Sequence, residues 1–355
     1  MELKIGLLPG DGIGPEVIGE AVKVVNVIAS KFGHDITWNE GLVGAAAIDA
    51  TGDPYPNETH MICLESDAVL FGAVGDPKYD NDPTAKVRPE EGLLRMRKKL
   101  GLYANIRPTY TFDSLLEKSP IKKSIVQGTN LVFVRELTGG IYFGKKGRNK
   151  TNDYAFDTCE YSVNEITRLA VIGFELAMKR SKKLCCIDKA NVLETSRLWR
   201  QTVQSLEKNY PSVKVSYEFV DAVAMRLIHS PSHYDVLITS NLFGDILTDE
   251  ASVISGSMGL MPSVSVGLKT SIYEPIHGSF PQAKGKNIAN PLATILSASM
   301  MFERSFNLHN ESKLIHSVVN ESVANNIVTQ DLSGNKKSYT TEEVGDWIVK
   351  KIKKL

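Results

Sequence analysis

Two aspartates, Asp245 and Asp249, stand four residues apart in the segment "NLFGDILTDEAS". At about 100° per residue they lie on one face of a helix. Two negative charges at this spacing repel each other, so the pair favours a positively charged partner. Carboxylate oxygens are ligands that magnesium and manganese prefer. The pair therefore predicts a divalent-metal site, and the simpler alternative is an acidic helix face exposed to solvent.

Other polar residues follow the ends of predicted strands. Arg135 ends "LVFVR", Lys189 follows "KLCCID", and Asp221 follows "VSYEFV". Tyr142 comes seven residues after Arg135, past the sequence "TGG". In open α/β sheets, ligands bind outside the carboxyl ends of the strands. We therefore expect these side chains to converge on one site with the two aspartates, although each alone is more typical of a surface residue.

The segment "PEEGLLRMRKKLG" predicts a short basic helix that ends at a glycine. Arg97 and Glu90 lie on the same face of this helix, and Leu93 or Leu94 lies between them. The next strand is predicted to end at Arg107. Because guanidinium groups bind carboxylates through two parallel hydrogen bonds, these residues predict carboxylate recognition beside an apolar surface. The alternative is an amphipathic helix with a solvated basic side.

Strand-like runs alternate with helical patterns along most of the 355 residues, which predicts an α/β fold with a largely parallel sheet and two domains. Segment 145–153, "KKGRNKTND", is predicted as an exposed loop. Lys+Arg and Asp+Glu are both 41, so the chain lacks the basic excess of a nucleic-acid or membrane-surface binder. No apolar stretch is long enough to span a bilayer. The four cysteines show no C-x-x-C spacing and the start shows no signal peptide, so we expect a cytoplasmic protein.

The stretch "LLPGDGIGPEV" near the start resembles a Rossmann fingerprint without matching it. Its third glycine, Gly14, comes one residue too early for the G-x-G-x-x-G pattern. Pro15 removes a backbone N–H at the helix start, where a pyrophosphate needs a donor. The stretch therefore predicts a tight strand-to-helix turn.

Five segments together resemble the β-decarboxylating dehydrogenases: "PGDGIGPEV", "RELTGGIYFG", "DKANVL", "NLFGDILTD" and "EPIHGS…GKNIANP". The resemblance runs from about Leu3 through essentially the whole chain. Enzymes of this family oxidise a 2-hydroxy acid with NAD or NADP and then release its β-carboxylate. The resemblance implies the family's own α/β fold, with two domains that share a central sheet and no Rossmann fold. Residues 1–102 and 256–355 would form the cofactor-side domain, and residues 103–255 the domain for substrate, metal and dimerisation.

The resemblance also assigns roles to single residues. Three arginines would bind the substrate carboxylates: Arg97, Arg107 and Arg135. Three aspartates would bind magnesium or manganese, and the first of them would also contact the substrate: Asp221, Asp245 and Asp249. Lys189 would be the general base for the hydroxyl, and Tyr142 would protonate the carbon after carbon dioxide leaves. In this family the counterparts of Lys189 and Asp221 reach the site from the other subunit, so the resemblance implies a homodimer.

The apolar face of the basic helix bears on the substrate. By the resemblance, Leu93, Leu94 and Val192 would face the substrate's side chain, with Glu90 near the nicotinamide. Apolar residues suit an isopropyl group and would leave the third carboxylate of isocitrate unpaired. The expected reaction is oxidative decarboxylation of 3-isopropylmalate to 4-methyl-2-oxopentanoate with reduction of NAD, in leucine biosynthesis. Homoisocitrate and tartrate or malate are alternative substrates, and a non-catalytic regulatory subunit is an alternative of another class.

The adenosine half of the cofactor is expected at residues 277–290. The residues implied to contact it are Ile13, His277, Gly278, Ser279, Gln282, Ala283 and Asn290. Gln282 stands where NAD-using members usually carry an acid. Glutamine still hydrogen-bonds a ribose diol, but it lacks the charge that repels a 2′-phosphate, and Lys284 lies nearby in sequence. NAD is nevertheless predicted, because the lysine–tyrosine pair typical of NADP-using isocitrate enzymes is absent.

Overall fold

The structure is a computed structural model that describes residues 1–82 and 84–355. The chain forms two compact units. Unit 1 comprises residues 1–101, 112–119 and 255–355, and unit 2 comprises residues 102–111 and 120–254. The functions expected of residues 103–255 and of the two terminal segments remain predictions. Within the described part of the chain, no helix is long and apolar enough to cross a membrane.

Strands and helices are numbered along the chain. The strands described in unit 1 are β1 (Glu2–Gly10), β2 (Asp35–Glu40), β3 (Ala68–Ala73), β11 (Pro262–Val266) and β12 (Ser271–Pro275). Its helices are α1 (Gly14–Phe32), α2 (Ala45–Thr51), α3 (Asn57–Glu65), α4 (Pro77–Asp80), α5 (Pro89–Leu100), α11 (Leu292–Arg304), α12 (His309–Ala324), α13 (Gln330–Ser333) and α14 (Thr341–Lys354). The strand order is β2-β1-β3-β12-β11, with every neighbouring pair parallel except β11 with β12.

Helix α1 follows the glycine turn and packs its apolar face inward. Val17, Val24 and Ile28 recur at helical spacing and are fully buried, as their spacing predicts. Pro15 lies in the first turn, where its missing N–H costs nothing. Gly33 ends the helix at φ 73°, a left-handed conformation that favours glycine.

Unit 2 contains the chain's middle segment. Its described strands are β4 (Ala104–Tyr110), β5 (Asn130–Glu136), β6 (Lys146–Arg148), β7 (Ala155–Asp157), β8 (Lys183–Asp188), β9 (Lys214–Phe219) and β10 (Val236–Thr239). Its helices are α6 (Lys123–Val126), α7 (Val163–Lys179), α8 (Glu194–Glu207), α9 (Val220–His229) and α10 (Asn241–Ser255). Five strands follow the order β4-β5-β10-β8-β9, and β6 pairs with β7.

The register of β5 positions an arginine. Arg135 lies opposite Asn105 of the antiparallel strand β4 and opposite Thr239 of the parallel strand β10. Because β10 ends at Thr239 and α10 begins at Asn241, the first turn of α10 starts directly beside Arg135. The predicted α/β class is therefore confirmed, and antiparallel pairs interrupt the largely parallel arrangement.

Two local predictions were wrong. Arg107 lies within β4, opposite Phe133, and does not end that strand, because pairing with β5 continues through Pro108 to Tyr110. Part of segment 145–153, expected to be a loop throughout, forms β6, which pairs antiparallel with β7. Both strands are three residues long and mostly exposed, so they lack the apolar alternation that predicts a strand.

Candidate active site

Asp245 is the centre of a polar cluster in unit 2. One of its carboxylate oxygens accepts a hydrogen bond from Arg135 Nη1 at 2.5 Å, and the other accepts one from the Tyr142 hydroxyl at 2.7 Å. Arg135 is only 2% exposed and also donates to the carbonyl and side-chain oxygens of Asn241, at 3.0 and 2.9 Å. The structure thus joins Asp245 with Arg135 and Tyr142, which lie 110 and 103 residues earlier in the sequence.

Asp249 lies one helical turn further along α10 and faces a second buried arginine. Arg107 Nη1 donates to Thr248 Oγ1 at 2.6 Å and lies 3.9 Å from an Asp249 carboxylate oxygen. Burial raises the pKa of Asp249, the negative charge of Asp245 raises it further, and Arg107 opposes both effects. Two carboxylates that repel each other on one helix face are suited to a divalent cation, since the positive charge of the cation offsets their repulsion.

Lys189 and Asp221 form a separate pair, with Lys189 Nζ 2.5 Å from an Asp221 carboxylate oxygen. This hydrogen bond lowers the pKa of the exposed Asp221. No group of three or more His, Cys, Asp or Glu side chains suited to a metal occurs among residues 1–82 and 84–355. Asp221 therefore does not complete the pair of Asp245 and Asp249 within the described chain.

A buried aspartate shapes the turn that carries Lys189. Asp188 is 1% exposed and accepts two hydrogen bonds from Arg200, at 2.8 and 2.9 Å. It also accepts one from the backbone N–H of Ala190, at 2.9 Å. The end of β8 is thereby fixed on both sides of Lys189, which positions that side chain.

A buried glutamate shapes the turn that leads to Tyr142. Glu136 accepts hydrogen bonds from the backbone N–H groups of Thr138 and Gly139, each at 2.8 Å. Burial raises the pKa of Glu136, and these two donors oppose the rise. Gly140 follows at φ 72°, and a Cβ there would come within 2.2 Å of the Tyr161 hydroxyl oxygen, so only glycine fits.

Unit 1 holds the fourth cluster of predicted residues, on α5. Arg97 is 8% exposed and lies 3.9 Å from Glu274, and its Nε atom is buried with no hydrogen-bond partner among the described residues. An orphaned guanidinium nitrogen suits a carboxylate ligand. Leu93 and Leu94 are partly exposed on the same helix, and Glu90 is exposed. In unit 2, Val192 follows Lys189 and is 61% exposed.

Four of the seven expected adenosine-binding residues border a cavity of about 400 Å³ in unit 1. Ile13, His277, Gly278 and Asn290 line it. His277 Nε2 is buried and has no hydrogen-bond partner among the described atoms, and burial lowers the pKa of this imidazole. A cavity with mostly apolar walls and one unpaired polar atom fits an adenosine group.

The remaining predicted cofactor residues differ in exposure. Ser279 is 6% exposed, and its carbonyl oxygen accepts a hydrogen bond from Ile13 N at 2.8 Å. Ala283 is fully buried in a cluster with Ile13, Val17 and Ala289. It therefore packs the segment around residues 277–290 against the start of α1. Gln282 is exposed.

Asp11 is a structural anchor that the sequence reasoning missed. Its buried carboxylate accepts hydrogen bonds from three backbone N–H groups, those of Ala45, Ala46 and Gly75, at 2.8 to 2.9 Å. It therefore connects the glycine turn to the start of α2 and to the turn after β3. A Cβ on Gly75 would come within about 3.1 Å of Ser279 Oγ, so this turn also borders the cofactor loop. The available signal was an acidic residue between two glycines.

Comparisons with known proteins identify the family to which the chain is similar. The model of a family described as isocitrate/isopropylmalate dehydrogenase matches residues 4–348. A protein from Bacteroides fragilis named 3-isopropylmalate dehydrogenase is 55% identical over 356 residues, which covers 100% of both chains. One of the same name from Aquifex aeolicus is 49% identical over 99% of this chain and 98% of its own.

A solved structure agrees with these relatives. The isocitrate dehydrogenase from Methylococcus capsulatus superposes with a TM-score of 0.89 at 30% identity, covering 99% of each chain. The fold and the pattern of acidic and basic residues define a class of dehydrogenases that act on carboxylic acids. Within that class, this chain belongs to the isocitrate/isopropylmalate dehydrogenase family. The family resemblance drawn from the five sequence segments is therefore confirmed.

Proposed function

We propose that this protein oxidatively decarboxylates 3-isopropylmalate, with reduction of NAD, as a step of leucine biosynthesis. The observation that carries the proposal is the cluster around Asp245, in which an arginine, a tyrosine and a carboxylate meet beside a second carboxylate and a second arginine. Relatives named 3-isopropylmalate dehydrogenase, about half identical over full length, support it. Leu93 and Leu94 support the substrate choice, because they offer an isopropyl group apolar contacts and a third carboxylate none.

Asp245 and Asp249 are proposed to bind magnesium or manganese together with Asp221 of a second copy. When bound, the cation supplies Lewis acidity at the substrate hydroxyl, and NAD, when bound, supplies the hydride acceptor. Arg107 and Arg135 have guanidinium groups directed at these carboxylates, so they also suit the carboxylates of a bound substrate. Both are nearly buried, which strengthens their attraction to an anion.

Two proton transfers are assigned to residues of the chain. Lys189 takes the proton of the substrate hydroxyl while the alcohol is oxidised. Tyr142 gives its proton to the carbon that loses carbon dioxide, and its hydrogen bond to Asp245 holds the hydroxyl in place. Asp188 and Glu136 are positioning residues, because each fixes the turn that carries one of these two groups.

The substrate proposal is tested by following NAD reduction with four acids: 3-isopropylmalate, isocitrate, malate and tartrate. We expect turnover with the first only, and loss of that turnover when a chelator removes the divalent cation. Turnover with another acid at equal or higher kcat/KM contradicts the substrate. No NAD reduction with any of the four acids favours a non-catalytic subunit of the same fold. The reaction is also measured with NADP in place of NAD. A kcat/KM with NADP equal to or higher than that with NAD contradicts the prediction that the protein uses NAD.

The homodimer proposal rests on unit 2. Asp221 is 65% exposed at its side chain, and exposed apolar residues occur on both α9 and α10, including Met225 at 65% and Ile246 at 60%. Exposed apolar residues on two consecutive helices are typical of an interface. A second copy covering this surface would bring its Lys189 and Asp221 to the carboxylates of the first.

Subunit complementation tests this arrangement. Lys189→Ala and Asp245→Asn chains are each expected to be inactive when pure. Refolded together, they form mixed dimers in which one of the two sites combines an intact Asp245 with an intact Lys189 from the other chain. We expect activity to return in the mixture. An inactive mixture that contains mixed dimers contradicts the shared site and leaves the substrate proposal standing.

A further inference from the structure

Phe280 has an unusual backbone conformation. Among the residues that the structure describes, six that are not glycine have positive φ: four asparagines, Lys182 and Phe280. Phe280 has φ 40° and ψ 62°, in the left-handed region that bulky side chains rarely adopt. Pro281 follows, and a residue before proline prefers an extended conformation. A conformation that both rules disfavour persists only where the surroundings impose it.

The surroundings of Phe280 do impose it. Immediately before Phe280, the carbonyl of Ser279 is held by the backbone N–H of Ile13 at 2.8 Å. A few residues later, the carboxylate of Glu16 accepts a hydrogen bond from the N–H of Gly285 at 2.5 Å. Both flanks are thereby attached to the first turns of α1. The strained residue between them turns its side chain outward, where it is 53% exposed.

The exposed Phe280 ring lines the 400 Å³ cavity expected to receive adenosine. Ile288, 42% exposed, and the buried Ile13 complete its apolar surface, and His277 adds the unpaired buried nitrogen. A single exposed phenylalanine on a protein surface needs no explanation. An exposed ring that is held in a strained conformation on the wall of a cavity does, and a planar ligand is the partner that covers an aromatic face.

We infer that Phe280 is a cofactor-binding residue on whose ring the adenine base of the bound cofactor stacks. The inference rests on the proposed function, which supplies the adenine dinucleotide. Stacking of a base on an aromatic side chain stabilises binding without hydrogen-bond readout. The hydrogen bonds on both sides hold the backbone of Phe280 in place before the cofactor arrives, so little backbone freedom is lost on binding.

The test measures binding of AMP and of nicotinamide mononucleotide by calorimetry, which needs no turnover. Phe280→Ala is expected to weaken AMP binding at least about fivefold, the lower end of what one stacked base contributes. Phe280→Tyr, which keeps a ring, is expected to bind AMP as the wild type does. Nicotinamide mononucleotide affinity is expected to stay unchanged in both variants. Unchanged AMP binding by Phe280→Ala, or a loss confined to nicotinamide mononucleotide, overturns the inference.

Glycine variants distinguish the effect of the Phe280 ring on AMP binding from the effect of its strained backbone on stability. Phe280→Gly relieves the left-handed strain, so we expect a melting temperature higher by about 2 °C together with the same loss of AMP affinity. Lys182→Gly, with φ 60° in unit 2, is the matched control, and we expect a similar rise with AMP binding unchanged. A Phe280→Gly protein that binds AMP normally overturns the inference.

The proposed function fails separately. If the wild-type protein neither binds AMP nor reduces NAD with 3-isopropylmalate, the proposed function is wrong and the inference falls with it. If the wild type does both and Phe280→Ala is unaffected, only the inference is wrong.

Discussion

Replacing Gly12 with alanine tests the link between the glycine turn and the cofactor loop. Gly12 has φ 59°, and a Cβ on it would lie 2.0 Å from the carbonyl oxygen of Ser279. The same oxygen accepts the hydrogen bond from Ile13 N. The substitution therefore forces the loop away and breaks that bond. Metal binding by the carboxylates of α10 is expected to remain.

The free-energy cost of Gly12→Ala to the folded protein has two contributions. Forcing alanine into the left-handed region costs about 1–2 kcal/mol. Losing the hydrogen bond between Ile13 and Ser279 costs about 1 kcal/mol more. Gly33→Ala is the matched control, because Gly33 has φ 73° and no atom within 4 Å of an added Cβ. It carries the strain without the collision, so the difference between the two variants isolates the effect on the loop.

The assay is calorimetric titration of both variants with AMP and with Mn²⁺. We expect Gly12→Ala to raise the AMP dissociation constant about fivefold to tenfold, the equivalent of about 1–1.4 kcal/mol. Gly33→Ala should bind AMP as the wild type does and lose only thermal stability. Equal AMP affinity in the two variants refutes the coupling of the turn to the loop, and loss of Mn²⁺ binding in Gly12→Ala refutes a local effect.

Three further outcomes are expected. Asp249→Asn should weaken Mn²⁺ binding more than about tenfold, while the neighbouring Glu250→Gln should leave it unchanged by calorimetry. Lys189→Ala should lower kcat at least about 100-fold without changing AMP affinity, and near-normal turnover contradicts its role as base. Burial lowers the pKa of His316, so the unfolded chain binds more protons than the folded one below about pH 6.5, and stability falls on acidification. His316→Gln should therefore flatten the fall in the free energy of unfolding between about pH 7.5 and 5.5, by up to about 1.4 kcal/mol per pH unit, as measured by urea denaturation, and an unchanged slope contradicts this role of His316.

Local patterns in the sequence predicted the elements well. The apolar spacing of α1, its end at Gly33 and the spacing of Asp245 and Asp249 on α10 all reflect neighbours within a few residues. Such interactions depend on helix geometry alone, so the sequence displays them directly. The fold class and the family followed from the order of these elements and from the five long segments.

Long-range pairing was less predictable. The contact of Lys189 with Asp221 depends on the register of β8 against β9, which periodicity does not encode. The place of Arg107 within β4 depends on pairing through a proline. The position of Asp11 between two glycines did not reveal which backbone N–H groups its carboxylate binds, because those three donors, from two other segments, come together only in the folded chain.

Unit 1 is built from both ends of the chain, and this orders events on the ribosome. Strand β12 lies between β3 and β11, so the edge of β3 stays unpaired until residues 271–275 have been translated. Most of unit 2 is one continuous segment that emerges earlier. A nascent chain that has passed residue 254 therefore contains all of unit 2, while the N-terminal part of unit 1 still has an open sheet edge. Open edges pair with other chains, so we expect this interval to be when the newly made protein is most prone to aggregate.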